Sequence, residues 1–314
     1  MKILISDKAD PICASILKEH GHDVDEKTDL SPEELKSIIG NYDGLIVRSA
    51  TKVTRDIIEA ASNLKVIGRA GSGVDNIDVA AATEKKIIVM NTPGANTNGV
   101  VELTLAYIFA LNRNLFNASK SLKEEKWEKK KFKGIEALNK TLGVVGYGKI
   151  GRQVAIKAKC LGMDVICYDP VVGRNIIDQF GIKLLKSFDE LLTQSDIISV
   201  HVPLTDSTRN LFNKETFQKM KKGVHLINCA RGGIVNEKDL LWALNEGIVA
   251  MAGVDVFEKE PAEDFELIKH PNVICTPHIG ASTVESQRNT AQMIANQFVE
   301  YFAGDGISNQ VNPF

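Results

Sequence analysis

The stretch Lys140-Thr-Leu-Gly-Val-Val-Gly-Tyr-Gly-Lys-Ile-Gly-Arg152 constrains this chain more than any other feature, and it lies near the middle of the sequence. The apolar run at 142–145 predicts a buried strand. Gly146 allows the tight turn out of it, Gly148 lets the backbone approach a pyrophosphate, and Gly151 lets the next helix pack closely on the strand. The start of that helix offers N–H groups without intrahelical partners and the positive end of a dipole. A second strand is predicted at 164–168, and Asp169 stands at its end, eighteen residues after Gly151. A carboxylate there accepts hydrogen bonds from both hydroxyls of an adenosine ribose and repels a 2′-phosphate. The combination predicts a dinucleotide site, with NAD rather than NADP as cofactor.

Because the motif is central, something must precede it. Strand-like runs at 2–6, 44–48, 65–68 and 87–90 alternate with helical stretches, among them 11–20 and one opening at Ser31-Pro-Glu-Glu34, where Pro sits at the first helical position and acids fill the first turn. A long helix, about 98–115, is apolar on most sides and is expected to lie buried between domains. The alternation then resumes, with strands at 142–145, 165–168, 197–200, 225–228, 251–254 and 273–276 and helices such as 188–193 and 237–245. One more long helix, 283–302, exceeds what the second sheet needs. The chain is therefore expected to return to its first domain. The fold class read from this is α/β with two doubly wound parallel-sheet domains. A Rossmann dinucleotide-binding domain (98–283) is inserted in a discontinuous flavodoxin-like substrate domain (1–97 plus 284–314).

Composition narrows the function classes. The chain has 314 residues and a net charge of −2, so no bulk attraction to nucleic acid or an anionic membrane is expected. The longest apolar runs, such as 105–111, are too short to span a bilayer, and the first residues lack a signal-peptide layout. The five cysteines are scattered without a C-x-x-C pair, which argues against a metal site or a disulfide framework and for a reducing cytoplasm.

Ligands of doubly wound sheets bind beyond the carboxyl ends of the strands. Those positions hold Cys229-Ala-Arg231, then Asp255 to Glu260-Pro261, then Pro277-His278-Ile-Gly280. An arginine, a carboxylate and an imidazole thus converge on the edge that carries the cofactor. Oxidising an alcohol by hydride loss needs a base for the hydroxyl proton, and histidine suits that task near neutral pH. A neighbouring carboxylate would orient the ring and favour its charged form. An arginine would hold a substrate carboxylate through two parallel hydrogen bonds. His20, His22, His225 and His270 read as structural. His201 also ends a strand, but Pro203 shapes its loop, which is read as lining the cofactor. Residue patterns alone leave Glu258 and Glu260 nearly even.

Four of these stretches, Gly146-Tyr-Gly-Lys-Ile-Gly151, Asn228-Cys-Ala-Arg-Gly-Gly233, Val254-Asp-Val-Phe-Glu-Lys-Glu-Pro261 and Thr276-Pro-His-Ile-Gly-Ala281, occur in order. Through them the chain resembles the D-isomer-specific 2-hydroxyacid dehydrogenase family over nearly its whole length. The resemblance implies catalytic roles for Arg231, Glu260 and His278, and favours Glu260 over Glu258 because the family's acid directly precedes proline. It implies NAD contacts from Ser72, Gly146, Gly148, Lys149, Ile150, Gly151, Asp169, Val202, Cys229, Ala230, Arg231, Asp255, His278 and Gly280. Val202 is a departure, standing where many relatives have a small polar residue.

Further stretches, Val47-Arg-Ser-Ala-Thr-Lys-Val-Thr54, Gly68-Arg-Ala-Gly-Ser-Gly-Val-Asp-Asn76, Met90-Asn-Thr-Pro93 and Lys126-Trp-Glu-Lys-Lys-Lys-Phe132, are similar to the branch of the family acting on a phosphorylated 2-hydroxy acid, 3-phospho-D-glycerate. They imply substrate contacts from Arg48, Ser49, Arg69, Ser72, Gly73, Arg231 and His278, with Thr51 a further candidate for the phosphate. A helix starting near Asp75 would let the N–H groups of residues 71–73 form an anion nest. The same likeness implies a homodimer in which cationic residues of the 129–133 cluster reach the partner's site. Relatives that reduce glyoxylate, hydroxypyruvate or pyruvate would keep the triad without a phosphate requirement, and NAD-sensing corepressors share the fold. Members of the phosphorylated-substrate branch often carry C-terminal regulatory domains that bind serine. With about a dozen residues after the last helix, no such domain is expected here.

Overall fold

The computed structural model describes residues 1–171 and 180–312; residues 172–179, within the expected dinucleotide domain, and 313–314, within the expected substrate domain, lie outside the described residues. Its contacts divide the chain into two compact units, Met1–Thr97 with Ala281–Phe314, and Asn98–Gly280. Each is a parallel sheet with helices, as the sequence pattern predicts.

The first unit holds β1 (Lys2–Ile5), β2 (Asp23–Glu26), β3 (Gly44–Val47), β4 (Val66–Arg69) and β5 (Ile88–Met90), in the order β2-β1-β3-β4-β5. That is the flavodoxin-like order, and it reverses direction between β1 and β3. Strands covered on both faces need continuous apolar runs, and Gly44–Val47 is buried throughout. The polar edge strand β2, Asp-Val-Asp-Glu, carries no such run and escapes the sequence reading. The helix Val284–Ala303, capped by the Thr283 side chain, returns to this unit. Its Phe298 is fully buried in the same core as Ile3, Ile46 and Leu17, and burying such a ring contributes about 1.5–3 kcal/mol. Beyond it, Gln310 bridges Met90, the Val311 N–H donates to the Val89 carbonyl, and Asn312 Oδ1 accepts the Val89 N–H at 2.7 Å. The tail therefore covers the β5 edge, which would otherwise expose unpaired backbone groups.

The second unit holds β6 (Thr141–Val145), β7 (Asp164–Tyr168), β8 (Lys183–Leu184), β9 (Ile197–Val200), β10 (Val224–Asn228), β11 (Val249–Val254) and β12 (Val273–Cys275), ordered β12-β11-β10-β9-β6-β7-β8. Counted from β6 this is the doubly wound dinucleotide-binding order with one strand added, and its direction reverses between β6 and β9. The expected long helix runs Thr97–Asn112, and a second helix that the sequence reading lacks, Leu115–Lys123, follows it. Asn114 between them adopts the left-handed conformation at φ 49°, which asparagine tolerates better than most residues. Among the described residues no helix is long and apolar enough to cross a membrane, and no group of three His, Cys, Asp or Glu side chains is placed to hold a metal.

Candidate active site

In the second unit the glycine motif stands at the point where the strand order reverses. Gly146 leaves β6 at φ 93°, and a Cβ there would lie 2.7 Å from the His201 carbonyl carbon and 2.8 Å from Val202 Cγ1. A Cβ on Gly151 would strike the Gly146 carbonyl, so the helix Lys149–Cys160 packs on the turn only without one. A Cβ on Gly148, by contrast, would project into open space. That opening, at the N-terminus of a twelve-residue helix beginning Lys149-Ile150 whose N-cap Gly148 makes no side-chain cap hydrogen bond, fits a pyrophosphate. Asp169 Oδ2 accepts the Tyr147 N–H at 2.7 Å and its Oδ1 accepts the Val171 N–H at 2.9 Å, so the acid also shapes the glycine turn. His201 is half-buried, its Nε2 2.8 Å from the Ser199 hydroxyl, and desolvation of the ring lowers its pKa to about 3. It is a neutral structural residue beneath the turn.

Three loops follow β10, β11 and β12. Asn228 organises the first: its Oδ1 accepts the Ala230 N–H and its Nδ2 donates to the Arg231 carbonyl, both at 3.0 Å. Cys229 is buried, and burial first and then the Asp255 charge push its thiol pKa up. Arg231 Nη1 donates to the Ala230 carbonyl at 2.7 Å. A Cβ on the next residue, Gly232, would collide with the Phe257 carbonyl, so the arginine loop lies directly against the loop that carries the glutamates. Glu258 turns away and accepts the Glu237 N–H at 3.1 Å. Glu260 accepts the Phe257 N–H at 3.0 Å through Oε1, and its Oε2 lies 2.7 Å from His278 Nδ1. Burial pushes the Glu260 carboxyl upward. The His278 hydrogen bond, the Phe257 N–H and the charges of His278 and Arg231 together outweigh it, and the pKa falls below the usual glutamate value.

His278 occupies the left-handed region at φ 52°. Asp255, fully buried, holds that turn. Its carbonyl accepts the His278 N–H at 2.8 Å, and its carboxylate accepts the N–H groups of Ile279 at 2.7 Å and Gly280 at 2.8 Å. Glu260, His278 and Arg231 thus form one group, with Asp255 as the support of its histidine. No sequence pattern marks Asp255 as a support.

The first unit gathers its candidates at its own reversal point. Asp7, just after β1, accepts the N–H of Arg48 at 2.6 Å and both the N–H and the hydroxyl of Thr51. Both donors of Thr51 therefore build the loop. Arg48 Nη1 donates to the Lys8 carbonyl at 2.9 Å, and Ser49 is exposed. Asn76 ties this loop to the next, donating to the carbonyls of Arg48 and Thr51 and accepting Arg69 Nε at 2.9 Å. Ser72 donates to Asn96 Oδ1 at 2.7 Å, and its carbonyl accepts Asn91 Nδ2 at 2.6 Å, which ties the 70–73 loop to the one after β5. The helix expected near Asp75 begins only at Val79, capped by Asp78. The bridge between Val53 and Ile77 and the bonds of Asn76 hold the intervening residues in a turn. Gly73 therefore has no helix dipole behind it. No sequence pattern marks Asp7, Asn76, Asn91 or Asn96 beyond their positions after strands.

Residues 105–280 match the model of the D-isomer specific 2-hydroxyacid dehydrogenase NAD binding domain. The chain belongs to this family. Among its relatives is D-3-phosphoglycerate dehydrogenase of Pongo abelii, 50% identical over 311 residues, which are 99% of this chain and 58% of that protein. The enzyme of the same name from Methanocaldococcus jannaschii is 48% identical over 312 residues, 99% of this chain and 59% of that one. The chain thus spans under two thirds of the length of these curated relatives. A solved NAD+-bound 3-phosphoglycerate dehydrogenase from Entamoeba histolytica is 32% identical, with a TM-score of 0.85 over 100% of this chain and 99% of that one.

Proposed function

We propose that this family member is an NAD-dependent dehydrogenase that oxidises 3-phospho-D-glycerate to 3-phosphohydroxypyruvate, the first step of serine synthesis. The observation that carries the reading is the pairing of His278 Nδ1 with Glu260 Oε2 at 2.7 Å beside Arg231, on the carboxyl side of the sheet that bears the glycine motif. An ionised carboxylate has no proton to give, so Nδ1 of a neutral imidazole carries the hydrogen and Nε2 keeps its lone pair. Nε2 is then the base that takes the hydroxyl proton, and Glu260 stabilises the imidazolium that results. Arg231 would clamp the substrate carboxylate. NAD, when bound, supplies the hydride acceptor. Gly146, Gly148, Lys149, Ile150 and Gly151 would hold its pyrophosphate and Asp169 its ribose, with Val202, Cys229, Ala230 and Gly280 lining the rest of its site, whereas Asp255, fully buried, would act only as the support of the histidine turn.

The substrate assignment is supported by the names and identities of the relatives and by the Arg48, Ser49 and Arg69 cluster, which offers cationic and hydroxyl donors to a phosphate. Ser72 and Gly73 would meet the substrate carboxylate through the loop alone. The five cysteines are all free, which suits a reducing cytoplasm. We also assign a homodimer, supported by exposed Phe109, Leu115, Phe116, Leu122 and Trp127 beside the exposed lysines at 129–131 and 133.

An NADH absorbance assay with 3-phosphohydroxypyruvate, hydroxypyruvate, glyoxylate and pyruvate side by side tests the substrate. The phosphorylated acid is expected to give the highest kcat/KM by at least about tenfold, the worth of one charge-assisted contact. A preference for glyoxylate or pyruvate overturns the assignment and leaves only the family chemistry.

A further inference from the structure

The network behind His278 runs inward past Asp255 to a side chain outside every motif considered above. Asp255 Oδ1 accepts the Thr276 hydroxyl in addition to the Ile279 N–H. Thr276 Oγ1 in turn lies 2.6 Å from the hydroxyl of Tyr107, on the helix Thr97–Asn112. A threonine hydroxyl has one proton. The carboxylate takes it, so Tyr107 must be the donor to Thr276, and the chain has one direction: Tyr107 to Thr276 to Asp255. Tyr107 is only 3% exposed. Burial pushes its phenol pKa up, only partly opposed by the Thr276 bond, so the proton stays on the donor. Its other acceptor, the Val254 carbonyl, is farther away at 3.3 Å. The ring fits because β11 carries glycine beneath it: a Cβ on Gly253 would lie 2.6 Å from Tyr107 Cδ1.

We propose that Tyr107 is a positioning residue for His278, acting through Thr276 and Asp255. The proposal rests on His278 being the base of the reading above. The turn at residues 276–280 holds a non-glycine residue at positive φ, a conformation that persists only where its surroundings fix it. The Asp255 carboxylate is the fixing group, and a fully buried carboxylate must be satisfied by donors. Hydrogen bonds in series polarise one another. The proton from Tyr107 makes Thr276 a better donor to Asp255, and Asp255 in turn aims the histidine turn so that Nδ1 meets Glu260. Removing the phenol hydroxyl leaves Thr276 with an unfilled acceptor and loosens the turn. It leaves untouched the Arg231 loop, which Asn228 holds, and the glycine motif, which lies at β6.

The test compares Tyr107→Phe, Thr276→Val and the double variant, with His278→Ala alongside. Tyr107→Phe is expected to lower kcat about five- to tenfold, the worth of one buried hydrogen bond, with the KM for the hydroxy acid and the Kd for NAD within about twofold of wild type. Amide exchange of a peptide covering 276–281 should quicken by a similar factor, while that of the helix Lys149–Cys160 does not change. The double variant should be no worse than Thr276→Val, because both cut one chain. An unchanged kcat and exchange rate, additive losses, or faster exchange throughout the unit would each overturn the proposal. A near-normal turnover of His278→Ala would overturn the reading beneath it, and the exchange measurement reports on the chain from Tyr107 to the turn even then.

Discussion

Asp169 Oδ2 sits 2.7 Å from the Tyr147 N–H, inside the glycine turn itself, and so the residue that would choose the cofactor also braces the loop that would hold it. Replacing it acts on both. In Asp169→Ala, the ribose loses two acceptors and a 2′-phosphate no longer meets a negative charge. The ratio of kcat/KM for NAD over NADP is expected to fall by about 10- to 100-fold, in line with about 1.5–3 kcal/mol for a charge-assisted pair. Steady-state rates with the two cofactors check this, and an unchanged ratio removes Asp169 from the ribose. The glutamates show what a residue pattern leaves undecided. Glu258 and Glu260 stand two apart on one loop, and only Glu260 directly precedes Pro261. What separates them is the path of the backbone, which sends one to the Glu237 N–H and the other to His278. That path depends on Gly232 admitting the Phe257 carbonyl, a contact between two strand ends far apart in sequence.

Between the helix Thr97–Asn112 and β10, the contact that ties element to element is a buried polar pair: His225 Nδ1 and Asn112 Oδ1, 3.0 Å apart. Burial lowers the His225 pKa to about 4, and that of His201 on the next strand's end to about 3. Both stay neutral in the folded protein, whereas in the unfolded chain a histidine takes up a proton below about pH 6.5. The unfolded state therefore binds more protons from pH 6.5 down to about 4, and through that window stability falls as pH falls. Each histidine can contribute a slope of up to about 1.4 kcal/mol per pH unit. Urea unfolding at pH 7, 6 and 5 should show a steeper loss for wild type than for His225→Gln. Equal slopes would mean that His225 titrates normally. The elements differ in how readily sequence reveals them, for a physical reason. Strands such as Ile197–Val200, covered on both faces, must be apolar throughout and announce themselves. Edge strands such as Asp23–Glu26 and Lys183–Leu184 have water on one side, keep polar residues, and stay invisible until the sheet is built. The helix break at Asn114 and the late helix start at Val79 follow from one left-handed residue and one bridge, neither of which changes the hydrophobic period.

At the scale of the whole molecule, large apolar side chains that water should not see gather in one segment of the second unit. Trp127 is 82% exposed, and Leu115, Phe116 and Leu122 are each more than half exposed. Patches of this kind mark association surfaces, and the adjoining lysines at 129–131 and 133 are exposed as well. If two copies meet there, each chain's lysines come within reach of a neighbour. The chain is then expected to sediment as a dimer at micromolar concentration, and Phe116→Asp with Trp127→Asp to split it into monomers. Because the glycine motif lies within one chain, the monomers should keep wild-type affinity for NAD. They should lose activity on 3-phosphohydroxypyruvate by about tenfold more than on unphosphorylated hydroxypyruvate, since only the phosphate would miss a partner's cation. Sedimentation and the paired assay separate the two claims. A monomeric wild type defeats the dimer. A dimer whose split variant keeps its full preference for the phosphorylated acid leaves the lysines as a solvated face and moves the phosphate contact entirely to Arg48, Ser49 and Arg69.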